Sequence, residues 1–261
     1  FAMNLQGNHG SFVTTHSTDG HNKWRYEADN SHNEIQGLKD GQSLTDSMTL
    51  ITADGTRIPI TATINGVDDH VIIDTPASTT ASLGTVIEDS KNSVKGTLLA
   101  HDSDTDDTIS FQAQTTTGSY GTITDNKDGS WHYDLDHAKA NSLGASDNKA
   151  EGFDVVAISS DGSKATQHIQ VNVQGTDDQA VITGNSTSSI AEGDIGDNVI
   201  ASGTLSITDV DTGDTPSFPD IASIATTYGH ITMHNGQWTY TLDESKVQQL
   251  DPDEASVVDH H

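Results

Sequence analysis

The middle of the chain alternates apolar and polar residues with a period of two. In Trp131-His132-Tyr133-Asp134-Leu135 the large apolar side chains share one parity, and Ile169, Val171 and Val173 alternate with His168, Gln170 and Asn172. That period marks a strand with one face in a core. The pattern predicts strands over residues 94–100, 108–114, 121–124, 131–135, 153–158 and 169–173. Asn126-Lys127-Asp128-Gly129 predicts a hairpin turn, and Asp161-Gly162 a second one. Asp136 is placed to cap a short helical turn reaching Leu143. Many short strands with almost no helix predict an all-β, immunoglobulin-like β-sandwich.

The pattern recurs along the chain. Trp24, Trp131 and Trp238 are 107 residues apart at each step (131 − 24 and 238 − 131), each in W-x-Y-x-x-D. Gly96-Thr97-Leu98 returns as Gly203-Thr204-Leu205, and Asp102-x-Asp104 as Asp209-x-Asp211, both 107 later. Asn65-Gly66-Val67-Asp68-Asp69 returns as Gln174-Gly175-Thr176-Asp177-Asp178 after 109 residues, so one loop differs in length. A shared period of one small domain predicts a tandem array of a single folded unit. The landmarks divide the chain into a partial repeat over 1–68, a complete one over 69–176 and a partial one over 177–261. The natural protein is expected to continue at both ends with more copies, and the two ends to be the least stable parts. The tryptophans fall on the apolar parity and are expected to pack in cores, where a buried ring contributes several kcal/mol.

Composition sharpens this picture. The 261 residues hold 39 Asp and Glu against 11 Lys and Arg, a formal charge of −28, with 32% hydrophobic residues. Those figures approach the disordered class, but the acids are concentrated and the apolar residues alternate. The charge makes nucleic acid and anionic membranes poor partners and divalent cations natural ones. The sequence has no cysteine, so a secreted β-module needs another staple, and metal is the usual one. No stretch has membrane-spanning length and no signal-peptide pattern opens the chain.

The acids gather at the expected boundaries between repeats. Asp68-Asp69 and Asp177-Asp178 close one unit and open the next. Glu88 with Asp89, and Glu192, follow shortly after. Then come Asp102, Asp104, Asp106 and Asp107 in one unit and Asp209, Asp211 and Asp214 in the next. In a sandwich the linker and its neighbouring loops converge at one pole. Two carboxylates about 4 Å apart repel by roughly 4 kcal/mol at an effective dielectric near 20. A hard cation reverses that sign. Ca2+ suits flexible oxygen-rich loops, Mg2+ demands stricter octahedral geometry, and Zn2+ prefers Cys or His, whose ligand spacing is missing among the thirteen histidines. The EF-hand loop is absent, and Asp54 and Asp161 read as ordinary Asp-Gly turns.

Together these motifs resemble the VCBS-type repeat of very large bacterial RTX adhesins exported by type I secretion. The resemblance rests on Ile87-Glu88 and Ala191-Glu192, on Lys95 to Leu98 and Ser202 to Leu205, and on Asp102 to Thr105 and Asp209 to Thr212. Tyr120 to Thr124, Tyr228 to Thr232, the W-x-Y-x-L-D hexamers and the closing N/Q-G-x-D-D add to it. The usual closing form has Asn-Asp and often proline; Asp-Asp here makes a more anionic site and a looser joint. The motif order also resembles that of cadherins, where a Glu serves the junction after its domain and D-x-D the junction before. That resemblance implies a second junction built from Glu88, Asp177, Asp178, Asp209 and Asp211 together with Asp136, and a first from Asp68, Asp69, Asp102 and Asp104. The residues alone leave open whether Glu88 and Glu192 face forward or back.

The expected function is a non-catalytic, calcium-stiffened extender at the bacterial cell surface. Its partners are then calcium ions and neighbouring repeats of the same chain, and it projects a distal adhesive domain. The alternative is a module that binds a glycan or a homophilic partner. That reading needs exposed aromatics, and aromatic residues are only 5% of the chain, mostly on core parity. An enzyme is not expected: no G-x-S-x-G, H-E-x-x-H or P-loop occurs.

Overall fold

A computed structural model describes residues 3–16, 22–74, 81–250 and 256–259. It divides into two compact units. The first comprises Phe1–Val86, Lys91–Asp136 and Ala150–Val173, the second Ile87–Ser90, His137–Lys149 and Gln174–His261. The fold is all-β. Its helices among the described residues are single turns of four residues, such as His137–Ala140 where the cap at Asp136 was expected. Among the described residues no helix is long and apolar enough to cross a membrane.

In the first unit the middle repeat forms two four-stranded sheets. One orders Ile109–Phe111, Asn148–Ser159, Lys164–Gln174 and Ala81–Ile87 side by side, and the other Gln114–Thr117, Gly121–Asp125, Ser130–Leu135 and Ser93–Thr97. Alternation sets the faces: Trp131, Tyr133 and Leu135 are buried, as are Ile169, Val171 and Val173. Tyr133 joins the two sheets, with its ring centroid 6.0 Å from that of Phe153 and its hydroxyl donating to Glu151. That is a sandwich core. The first repeat contributes a three-stranded sheet, Met3–Gln6, Gly10–His16 and Asn22–Ala28, and a long hairpin of Ser43–Ile51 with Arg57–Asn65. In the second unit the third repeat forms a five-stranded sheet ordered Val181–Gly184, Ile200–Thr208, Gln237–Leu242, Gly229–His234 and Ile221–Ala225.

Two sequence motifs have one structural cause. The tyrosine of W-x-Y donates to an acid far along the chain: Tyr26 to Asp46 Oδ2 at 2.7 Å, Tyr133 to Glu151, and Tyr240 to Asp259 Oδ2 at 2.9 Å. The same acids accept the backbone N–H that precedes the glycine of a tight hairpin. His9 donates to Asp46 at 2.9 Å, Tyr120 to Glu151 at 2.9 Å and Tyr228 to Asp259 at 2.8 Å. A Cβ on Gly121 would stand 2.3 Å from the Tyr133 hydroxyl, so only glycine lets the phenol reach its acid. Burial, reinforced by the carboxylate, pushes Tyr26 and Tyr240 up to about 12. Each clamp ties a hairpin to a remote segment, a strand for Asp46 and Glu151, through a charge-assisted bond.

The tryptophans divide two to one. Trp131 and Trp238 are 4% and 7% exposed, and Trp24 is 47% exposed. In the two buried cases a glycine of the adjacent strand lies under the ring. A Cβ on Gly96 would meet the Trp131 ring at 2.7 Å, and one on Gly203 the Trp238 ring at 2.5 Å. Strand Asn22–Ala28 pairs on one side only, with Gly10–His16, among the described residues, so nothing covers Trp24 in that way. Trp131→Ala should destabilise the first unit by about 3–5 kcal/mol through a cavity. Trp24→Ala should cost far less, and urea unfolding of the two variants checks the difference.

The first repeat's clamp carries an extra charge. His9 Nδ1 lies 2.8 Å from Asp46 Oδ1, and Nε2 lies 2.6 Å from Glu34 Oε2. Hydrogen bonds to Asp46 and then Glu34 raise the imidazole above its usual 6.5. A raised histidine stabilises the fold fully below its unfolded value, provided both carboxylates are ionised, and that stability is lost as pH rises through the folded value. The stability difference between the parent and His9→Gln should therefore be largest near pH 5–6 and shrink above pH 7. Denaturation at several pH values, with an NMR titration of His9, measures it.

Candidate metal centres

In the second unit the backbone gathers acids from three separate segments. Glu88 N–H donates to Gln174 O at 2.9 Å, and Gly175 N–H to Asp147 O at 3.0 Å. Any side chain at Gly175 would collide with the carbonyls of Leu143 and Gly144, 2.2 and 2.4 Å away, so this crossing requires glycine. Glu88 is 1% exposed; its Oε2 accepts from Thr176 N–H at 3.3 Å, and its Oε1 is buried with no partner in the protein. Asp178 N–H donates to Asp211 Oδ2 at 2.8 Å, and Asp211 N–H to Asp209 Oδ1 at 3.0 Å. Asp211 is 4% exposed, and its Oδ1 and Asp178 Oδ2 are likewise buried without partners. One oxygen each from Asp177, Asp211 and Asp214 lie within 4.8 Å of one another.

The electrostatics are those of an unneutralised anion cluster. Burial, then the charges of Asp178, Asp89 and Asp211, push Glu88 above the usual carboxylate range. Burial and the surrounding aspartates do the same to Asp178 and to Asp214. A buried carboxylate oxygen without a partner is costly. Hard oxygen donors at this density suit Ca2+ better than Zn2+ or a strictly octahedral Mg2+.

The first unit repeats the backbone part of this geometry. Asp69 N–H donates to Asp104 Oδ2 at 2.7 Å, Asp104 N–H to Asp102 Oδ1 at 3.1 Å, and Thr105 N–H to Gly37 O at 3.1 Å. Asp104 is 5% exposed, and Asp104 Oδ1, Asp102 Oδ2 and Asp107 Oδ2 are buried without partners. Asp106 turns the loop at φ 71, as Gly213 does at φ 107 in the second unit, and so returns Asp107 and Asp214 to their clusters. One difference is a lysine: Lys39 Nζ is 2.7 Å from Asp107 Oδ1. That contact, with the Ser160 hydroxyl, holds Asp107 below the usual carboxylate range.

The expected ligands thus fall into groups. Glu88, Asp177, Asp178, Asp209, Asp211 and Asp214 share one unit, with Glu88 turned toward Thr176 and the repeat that follows. Asp69, Asp102, Asp104 and Asp107 share the other. Asp68 is exposed and accepts from Asp40 N–H at 2.8 Å. Asp136 lies in the first unit, where its N–H donates to Tyr120 O at 2.8 Å. Glu192 is exposed in the loop before strand Ile200–Thr208. Sequence reasoning missed Asp161. It accepts from Ser163 N–H at 2.8 Å, as a turn aspartate does, yet a carboxylate oxygen lies within 4.8 Å of oxygens of Asp102 and Asp107.

Residues 74–175 match the model of the bacterial cadherin-like domain, so the middle repeat is cadherin-like; the match covers less than half of the chain. No curated protein matches the chain. Similar solved structures include PcdhgB3 EC1-4, with TM-score 0.45 and 14% identity over 93% of this chain and 57% of that one. Protocadherin gamma B7 extracellular cadherin domains 1-4 has TM-score 0.42 and 13% identity over 93% and 58%. Human CDH23 EC21-23 has TM-score 0.42 and 16% identity over 81% and 66%. The chain spans less than two thirds of the length of each of these proteins.

An acid whose folded value is raised destabilises the fold when ionised, and the loss is recovered as pH falls through that value. In a chelator at neutral pH, Glu88→Gln should therefore raise the melting temperature, on the order of a few degrees. It should also flatten the gain in stability that the parent shows on acidification toward pH 4.5. The glutamine carbonyl can still accept the Thr176 N–H. A lower melting point for this variant in chelator refutes the repulsion argument.

Proposed function

We propose that the chain is a run of non-catalytic, calcium-stiffened extender repeats from a bacterial cell-surface adhesin of the VCBS type, exported by type I secretion. Its repeats are residues 1–68, 69–176 and 177–261. One observation carries this reading. Two clusters of carboxylates are held in register by backbone N–H donors, and an oxygen each of Glu88, Asp102, Asp104, Asp107, Asp178 and Asp211 is buried without a protein partner. Such oxygens fit a hard divalent cation, and the cadherin-like character of the middle repeat supports an extracellular adhesion role. Asp177 and Asp178 belong to the connection between repeats, while Asp209 and Asp211 belong to a loop of the next. An ion shared among them limits hinge motion there, which is otherwise the default for small interfaces. The adhesin's distal domain, not these repeats, then carries the ligand. In calcium-poor cytosol the clusters repel and the chain is easier to unfold for export.

Ca2+ at a hundredfold excess over its dissociation constant adds about 2.7 kcal/mol per site to the folded state. Chelation should lower the melting temperature, and Ca2+ should restore it better than Mg2+. In Ca2+ the effect of Glu88→Gln should reverse sign and become destabilising. Asp209→Asn with Asp211→Asn should shorten the mean end-to-end distance at saturating Ca2+ and lower the melting temperature less than chelation does. Small-angle scattering and fluorescent labels flanking residues 177–178 read the distance. An unchanged distance and unchanged rigidity would sink the extender mechanism.

A further inference from the structure

The two clusters share a backbone frame and differ at several side chains: Glu88 turns into the second, Asp161 reaches the first, and Lys39 stands in the first where the second has glycine. Lys39 N–H donates to Gln42 Oε1 at 3.1 Å, and Gly144 N–H donates to Asp147 Oδ2 at 3.2 Å. Gln42 N–H donates back to Lys39 O at 3.0 Å, and Asp147 N–H to Gly144 O at 2.8 Å. Leu38 N–H reaches Ile35 O at 3.2 Å, and Leu143 N–H reaches Ala140 O at 2.8 Å. The linker glycines Gly66 and Gly175 press on the same two carbonyls, those of Leu38 and Lys39 in one case and of Leu143 and Gly144 in the other. Lys39 and Gly144 are therefore equivalent positions. Lys39 sends its ammonium to Asp107, whose counterpart is Asp214. At Gly144 the direction a side chain would take runs along Asp211, with Cγ and Oδ2 at 3.6 and 3.7 Å from an added Cβ.

We infer that the Lys39 ammonium is a built-in counter-ion that takes over one divalent-cation position in the first cluster, leaving that cluster the weaker metal binder, while Gly144 makes the second depend on a divalent cation. The inference rests on the proposed metal-binding reading of these clusters. The geometry supports it on both sides. Asp107 Oδ1, one of the two oxygens that residue offers, is engaged by Lys39 and by Ser160 Oγ at 2.6 Å. Nearby positive charge opposes a divalent ion as directly as nearby carboxylate attracts one. In the second cluster the charges acting on Asp214 are those of Asp209, Asp211 and Asp177. Buried, partnerless oxygens on Glu88 and Asp211, both more than nine-tenths buried, add independent evidence for a ligand there.

The test is calorimetric titration of the full chain with Ca2+, resolved by NMR of the Asp104 and Asp211 amides. The parent should show its tightest binding at the Asp211 amide. Lys39→Gly should tighten Ca2+ binding at the Asp104 amide by about tenfold or more, or add a site there. Gly144→Lys should weaken binding at the Asp211 amide by a similar factor and reduce the melting-point loss on chelation. Lys23→Met, which removes a lysine from strand Asn22–Ala28, should change neither. If the parent binds Ca2+ and Lys39→Gly leaves site number and affinity unchanged, the counter-ion role is overturned while the metal reading stands. If neither parent nor Lys39→Gly binds Ca2+, both are overturned. Should Gly144→Lys fail to fold, Lys39→Gly still decides the outcome.

Discussion

A single hydrogen bond organises each acidic cluster: the N–H of a linker aspartate given to the buried carboxylate of the next D-x-D loop. It is 2.7 Å long between Asp69 and Asp104 and 2.8 Å between Asp178 and Asp211. A backbone donor fixes one oxygen without bringing a full positive charge. The carboxylate is thereby oriented, desolvated and left with its second oxygen facing other acids. Side-chain cations could have done the orienting, but they would also have neutralised the cluster. Using the main chain separates position from charge, and the charge is then free for something else to satisfy.

The rest of the fold serves that separation. The clamps of Tyr26 with Asp46, Tyr133 with Glu151 and Tyr240 with Asp259 put carboxylates inside the protein too, yet those acids are surrounded by donors. Burial acts against ionisation of Asp259, but bonds from Thr226, the Tyr228 N–H and the Tyr240 hydroxyl hold it down at about 2. Glu88 is more deeply buried than Asp259, has one N–H donor, and moves the other way. The contrast separates acids that hold the sandwich together from acids that require a counter-ion. With a formal charge of −28, the chain can be well packed only if the first kind is fully satisfied and the second kind is confined to a few places.

Much of this was legible in the sequence, for reasons that are physical. Alternation around Trp131 and Ile169 gave the strand faces because a sheet has a period of two and one dry side. The D-x-D and Asp-Asp pairs stood out because a repeat displays the same short-range chemistry in register. What the sequence hid was long-range. Asp46, Glu151 and Asp259 are single acids without a local motif, and only the fold brings them to their tyrosines. Asp161 was assigned to a turn, and its bond to Ser163 is a turn bond; its proximity to Asp102 and Asp107 comes from the path of a distant hairpin. Trp24 shares its hexamer with two buried tryptophans, but burial depends on a neighbouring strand bearing the glycine, which no property of the hexamer encodes. The direction of Glu88 was undecidable because a glutamate between two acidic regions can turn either way until Gln174 O takes its N–H.

Lys39 makes the same point more strongly. Read alone, it is one of 11 basic residues in an acidic chain, and a surface lysine near aspartates is ordinary. Its meaning comes from the equivalence with Gly144, which rests on matched backbone bonds, since beyond the shared leucine (Leu38 and Leu143) the neighbouring residues differ. In a repeat array each cluster is built from the same frame, so a substitution at this one position changes the charge of its own cluster without disturbing the frame or the neighbouring repeat. Lysine adds a charge that needs no ion, and glycine adds none. Under the counter-ion role we propose, metal dependence is set cluster by cluster along the chain, because the backbone, not the counter-ion, holds the carboxylates in place.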